Sequence, residues 1–140
     1  MPAVRARKAL PLVTIPASHL DLFTGPVVVG LATVQPDGQP QVTPIWIDLV
    51  DGQIRINTAA GRQKWKNLIE RPQATVLAID PQDPYRWIEV RCTIVRHSEE
   101  RGDDIINELS HKYTGQDYQG YVEGQVRVTF YLEPTHVVTS

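Results

Sequence analysis

Four basic side chains, Arg62, Lys64, Lys66 and Arg71, fall within residues 56–72 (INTAAGRQKWKNLIERP) of a 140-residue chain whose formal net charge is −2. The segment reads as the end of a strand followed by a short helix, which Pro72 stops. On a wheel of about 100° per residue, Trp65, Leu68 and Ile69 form one apolar stripe. Arg62 and Lys64 lie on its shoulders in the first turn, while Lys66 and Arg71 point further out as bystanders. Cations in a first turn oppose the helix dipole by about 0.3–1 kcal/mol each, and stability alone favours Asp or Glu there. Two explanations stand. The cluster is a solvated face, or it holds an anion between Arg62, Lys64, the Thr58 hydroxyl and the free first-turn amides, which reverses the sign of that cost. It is not a nucleotide P-loop: Gly61-Arg62-Gln63-Lys64 lacks the upstream glycine and the following Ser or Thr, and no GxGxxG occurs.

Other reactive residue types offer less. His19, His97, His111 and His136 are scattered without HExxH or paired-ligand spacing, so each reads as structural or surface and no metal site is expected. Cys92 alternates with apolar neighbours on a strand, as a buried, inert thiol does. Glu99, Glu100, Asp103 and Asp104 crowd a helix start, where the dipole favours acids. Trp65 reads as core; Trp46 and Trp87 suit either core or a pocket wall. No acid–base constellation is present, so no catalytic side chain is assigned.

The elements that position these residues are mostly strands. Residues 1–14 read as a flexible basic arm, and residues 15–140 as one domain. A short helix over residues 16–23, capped near Ser18, precedes a β-branched strand at 27–34. The turn QPDGQP and a second strand over 41–50 make a hairpin. A further turn, VDGQ, leads into QIRIN, so three antiparallel strands precede the basic helix. Beyond it come a strand at 74–80, a proline-containing loop at 81–85, and a period-two strand from Arg86 to His97, with Ile88, Val90, Cys92 and Ile94 on its apolar face. Residues 98–113 read as a helix. A Gly/Tyr-rich loop and one or two strands (QVRVTFYLEP and HVVTS) end the chain. Order and composition favour a closed or split β-barrel with peripheral helices over a parallel sheet.

Composition excludes some functions. A pI near 6.0 and the lack of any nucleic-acid signature oppose a polyanion binder. No apolar run reaches about 20 residues, so no membrane association is expected. One cysteine supports no internal disulfide framework, which points to the cytoplasm.

The stretches LATVQPDGQPQVTPIWI, IRINTAAGRQKWKNL, DPYRWIEVRCT and RVTFYLEPTHV follow one another as in the pyridoxamine-phosphate-oxidase-like, FMN-binding split barrels. The chain most resembles their F420-dependent oxidoreductase branch. That resemblance implies a mainly β split barrel of about six antiparallel strands with short peripheral helices. It implies a homodimer with cofactor sites at the interface, and hydride transfer between coenzyme F420, or alternatively FMN, and a small organic substrate. Arg62 and Lys64 match the cofactor-phosphate ligands, with Asn57 and Thr58 as hydrogen-bonding partners. Gln41, Thr43, Pro44, Ile45 and Trp46 match the strand beside the ring system, and a proline without an N–H suits such an edge. Tyr85 and Trp87 match aromatic positions near the site, contributed across the dimer. Asn67 matches a recurrent asparagine, but the wheel turns it from the apolar stripe and it is left out. Cys92 stands where the family more often has glycine. Lys66, Arg71 and the basic arm are available for the acidic tail of F420. The alternatives are an FMN-dependent flavin reductase or pyridoxamine phosphate oxidase relative, and a non-catalytic barrel for a phosphorylated ligand or nucleic acid.

Overall fold

One segment supplies both edges of the sheet, and this determines the architecture. The computed structural model describes residues 13–140, so all of the N-terminal arm except Val13 and Thr14 lies outside the described residues. Strands β1 (Val29–Val34), β2 (Pro40–Ile45), β3 (Asp48–Val50), β4 (Gln53–Ala59), β5 (Gln73–Asp80), β6 (Asp83–Ser98) and β7 (Arg127–Thr139) form one antiparallel sheet, ordered β2-β1-β5-β6-β7-β4-β3. β2 and β3 occupy opposite edges, yet only Trp46 and Ile47 separate them in the chain. The sheet therefore curls until its edges meet at that corner. β2 and β4 share no ladder, and there the barrel is split.

Period-two burial follows from this curl. Val29 and Leu31, Ile54 and Ile56, Val76 and Ala78, and Ile88 and Val90 point inward, where Phe130 and Leu132 fill the centre at 0% exposure. Each of these larger side chains, Val, Leu, Ile and Phe, contributes about 1.5–3 kcal/mol. Helix α1 (Asp21–Thr24) plugs the barrel with Leu22 and Phe23. Helix α3 (Gly102–Thr114) braces the corner: Lys112 Nζ donates to the carbonyls of Phe23 and Ile47, both at 2.6 Å. The Tyr113 hydroxyl donates to Val27 O at 2.7 Å and accepts from Ile47 N at 3.1 Å. No helix among the described residues is long and apolar enough to cross a membrane.

Several expectations need correction. The strand over 41–50 is two strands, because one half pairs with β1 and the other with β4 around the corner; the sheet has seven strands, close to the about six expected. Residues 81–85 are not all loop: β6 begins at Asp83, and Asp80 Oδ1 accepts from Gln82 N at 2.8 Å across a tight turn. The C-terminal segment is one strand. Its register slips between Cys92↔Pro134 and Arg91↔His136, and that bulge accommodates the proline. Ser18 does not cap α1; its hydroxyl pairs with His19 Nδ1. α3 starts later than expected, after Arg101 in the left-handed region, so Glu99 and Glu100 precede the helix.

The largest correction concerns helix α2 (Gln63–Glu70). Asn67 is fully buried, whereas Ile69 is 39% exposed. This two-turn helix packs Leu68 and Trp65 on the core but sets Asn67 over a polar part of the barrel end. Asn67 Nδ2 donates to Thr33 Oγ1 at 3.0 Å, and Asn67 Oδ1 accepts from Gln63 Nε2 at 2.8 Å. Arg71 is no bystander: its Nε donates to Val34 O at 2.6 Å, tying the helix end to β1. Lys66 remains exposed.

Candidate functional site

At the split, the ends of several elements enclose a cavity of about 420 Å³. Strand β4 runs into it at Asn57 and Thr58, and Gly61, with φ of 92°, turns the chain into α2. That conformation costs glycine least. Arg62 stands at the N-cap of α2 in extended conformation, with no side-chain cap and no acid in the first turn. The first amides of the helix are thus left for a ligand. Pro44, Ile45, Trp46, Val28 and Ile106 supply the apolar walls, with Tyr118 from the loop after α3 and Arg127 from the start of β7. Trp46 is fixed by stacking on Tyr113 (5.4 Å between centroids) and by an edge contact with Tyr118.

The polar end is cationic. Arg62, Lys64 and Arg127 line the cavity, and none has a carboxylate within salt-bridge distance among the described residues. Burial, then the charges of Arg62 and Arg127, hold the Lys64 ammonium below the usual lysine range. Burial likewise pulls Arg127 below the ordinary arginine value. Thr58 Oγ1 is buried with no hydrogen-bond partner, and so is Arg127 Nη1. Buried polar groups are rarely left so. Two orphaned polar atoms beside three uncompensated cations fit a phosphate group, and the apolar walls fit a planar ring.

The cavity brings together Pro44, Ile45, Trp46, Asn57, Thr58, Arg62 and Lys64 from the residues singled out by sequence. It does not include Gln41, Thr43 or Trp87. Gln41 and Thr43 share the inward face of β2 with Ile45 but lie further from the corner, toward α2. Trp87 sits on β6, its backbone N–H donating to Ser140 Oγ at 2.9 Å, and Tyr85 is 86% exposed. Asn57 differs from expectation in how it is used. Its Nδ2 donates to Gly102 O (2.9 Å) and Thr129 Oγ1 (3.2 Å), and its Oδ1 accepts from Arg127 Nε (2.8 Å). The side chain is committed to holding Arg127. Sequence reasoning missed Arg127, Val28, Ile106 and Tyr118; a lone charge near the start of the mostly apolar run 126–132 was the available signal for the first.

Similar structures share this architecture. A solved structure titled F420 reductase is 29% identical, with a TM-score of 0.81 over 89% of this chain and 98% of that one. The conserved hypothetical protein Rv2991 of Mycobacterium tuberculosis is 22% identical, with a TM-score of 0.70 over 94% of this chain and 88% of that one. HupZ of Group A Streptococcus is 16% identical, with a TM-score of 0.66 over 90% and 94% of the two chains. The last two show the fold alone. No curated protein sequence matches significantly. The family model described as pyridoxamine 5'-phosphate oxidase matches residues 15–139, which is nearly the whole described chain. With its split barrel, the chain belongs to the pyridoxamine 5'-phosphate oxidase family, a family of flavin- and deazaflavin-type oxidoreductases.

Proposed function

We propose that this protein is an F420-dependent oxidoreductase that passes a hydride between the deazaflavin and a small organic substrate. The observation that carries this reading is the cationic end of the cavity, where Arg62, Lys64 and Arg127 meet no carboxylate and Thr58 Oγ1 has no partner. The likeness to the structure titled F420 reductase, at 29% identity, favours F420 over FMN. When bound, the cofactor supplies hydride chemistry at its ring. Arg62 and Lys64 hold the phosphate, the Thr58 hydroxyl donates to it, and Ile45, Trp46, Ile106 and Tyr118 orient the ring and exclude water. No side chain is required to move a proton.

The working unit is proposed to be a homodimer in the cytoplasm. Val28 (54%) just before β1, Val42 (67%) on β2, and Leu77 (40%) and Ile79 (45%) on β5 are exposed together on the outer side of these strands. Gly30 pairs with both Pro44 and Leu77, so this apolar face is continuous with the cavity mouth at Val28 and Pro44. A second copy seated there covers an apolar patch and closes the cavity.

Titration of the purified protein with F420 and with FMN, followed by absorbance and fluorescence, tests the reading. F420 is expected to bind, and the Arg62→Ala/Lys64→Ala double variant to bind about 100-fold or more weakly, since charge-assisted hydrogen bonds contribute roughly 1.5–3 kcal/mol each. Tight FMN binding with indifference to F420 transfers the assignment to FMN chemistry. Unchanged affinity in the double variant removes the phosphate site altogether, and a monomer by sedimentation removes the dimer.

A further inference from the structure

We infer that Arg127 is a third phosphate-binding cation of this site, held in place by Asn57. The inference rests on the cofactor site proposed above but concerns a residue which that reading does not need. Arg127 is only 5% exposed. Of its five donors, Nε is used by Asn57 Oδ1 at 2.8 Å, Nη2 makes a long contact to Asn57 O at 3.5 Å, and Nη1 has neither partner nor solvent. Its guanidinium carbon lies 5.4 Å from the centroid of the Tyr118 ring, a contact that favours the cation without neutralising it. Asp103 attracts it from the start of α3 but forms no ion pair, while Arg62 opposes it.

Folding thus carries a guanidinium out of water without a counter-charge, an arrangement that costs stability unless something else repays it. An arginine serving only as a strut has no need of a cationic neighbourhood, and methionine or leucine would fill the space more cheaply. Arg62, Lys64 and Arg127 around one cavity instead create a positive field that a bound phosphate group offsets. Asn57 supplies the rigidity. Its own amide is anchored to Gly102 O and Thr129 Oγ1, so the Arg127 fork is preorganised rather than ordered on binding.

The test is thermal unfolding of wild type, Arg127→Gln and Arg127→Lys at pH 8, in inorganic phosphate and in sodium chloride of equal ionic strength. Cofactor titration on the same samples accompanies it. Glutamine keeps a donor for Asn57 Oδ1 while removing the charge. Wild type is expected to be stabilised by phosphate and not by chloride. Arg127→Gln should keep its melting temperature in chloride, lose most of the phosphate-specific shift, and bind cofactor roughly tenfold or more weakly. Arg127→Lys should retain part of the shift. A large loss of stability in chloride with the full phosphate shift intact makes Arg127 a strut and overturns the proposal. The absence of any phosphate effect on wild type overturns it too, even if cofactor binds. An Arg127-dependent phosphate shift in a protein that binds neither F420 nor FMN leaves this inference standing and removes the cofactor reading.

Discussion

Gly102→Ala probes how the site is positioned without replacing any of its lining residues. Gly102 is the first residue of α3, and its Cα faces the backbone of β7. A Cβ added there would fall far inside contact distance of the Arg127 carbonyl oxygen, 2.9 Å from its carbonyl carbon and 3.0 Å from its Cβ. These are backbone-fixed atoms of a paired strand, so relief requires the start of α3 to move outward by about 1 Å. Overpacking of this kind costs about 1–3 kcal/mol, toward the upper end where backbone cannot yield. Weakening the Asn57 Nδ2 bond to Gly102 O adds about 1 kcal/mol. Alanine returns up to about 1 kcal/mol through helix propensity and a less flexible unfolded chain. The net loss is about 2–3 kcal/mol, or roughly 6–9 °C in melting temperature for a chain of this length. Differential scanning calorimetry reads the stability. Cofactor affinity is expected to fall as well, because Asn57 and Arg127 move with the helix. A melting temperature within about 1 °C of wild type, with affinity intact, would refute the close approach and the coupling built on it.

Lys112→Met removes both bonds that pin the Trp46–Ile47 corner and leaves two carbonyls without their donor. A loss of about 2–3 kcal/mol is expected in urea unfolding, and an unchanged midpoint would show that the corner holds without it. Cys92 tests burial through pH. Burial pushes its thiol from the ordinary 9.0 up to about 12, so the folded state keeps a proton that the unfolded state loses above pH 9. The sign is therefore a loss of stability as pH rises. It is about 1.4 kcal/mol at pH 10 relative to a Cys92→Ala variant, whose stability measured in parallel should lack that component. An alkylating reagent at pH 8 should label Cys92 only in denaturant; rapid labelling of the native protein contradicts the assignment.

How much of this was legible in advance depends on whether the deciding contact was local. Strand periodicity in residues 86–97 foresaw the inward row of Ile88, Val90 and Cys92 correctly, because alternation is a property of the backbone itself. The basic opening of α2 was legible because a first-turn cation is locally unfavourable and so invites a question. Asn67 was misjudged because a helical wheel assumes that the buried face is apolar, whereas the barrel end presents Thr33 to it.

By itself the chain determined a β-rich fold, the turn positions near Gly38 and Gly52, and a cluster of cations at one helix start, since these follow from pattern, glycine and local electrostatics. Tertiary structure alone decided that one strand breaks at Trp46–Ile47 to serve both edges of the sheet. It also decided that Arg127, 65 residues beyond Arg62 in the chain, shares the cavity with Arg62 and Lys64. The reason is physical: the β4–β7 ladder sets Ala59 opposite Arg127 and Asn57 opposite Thr129, and no local pattern encodes which distant strands pair.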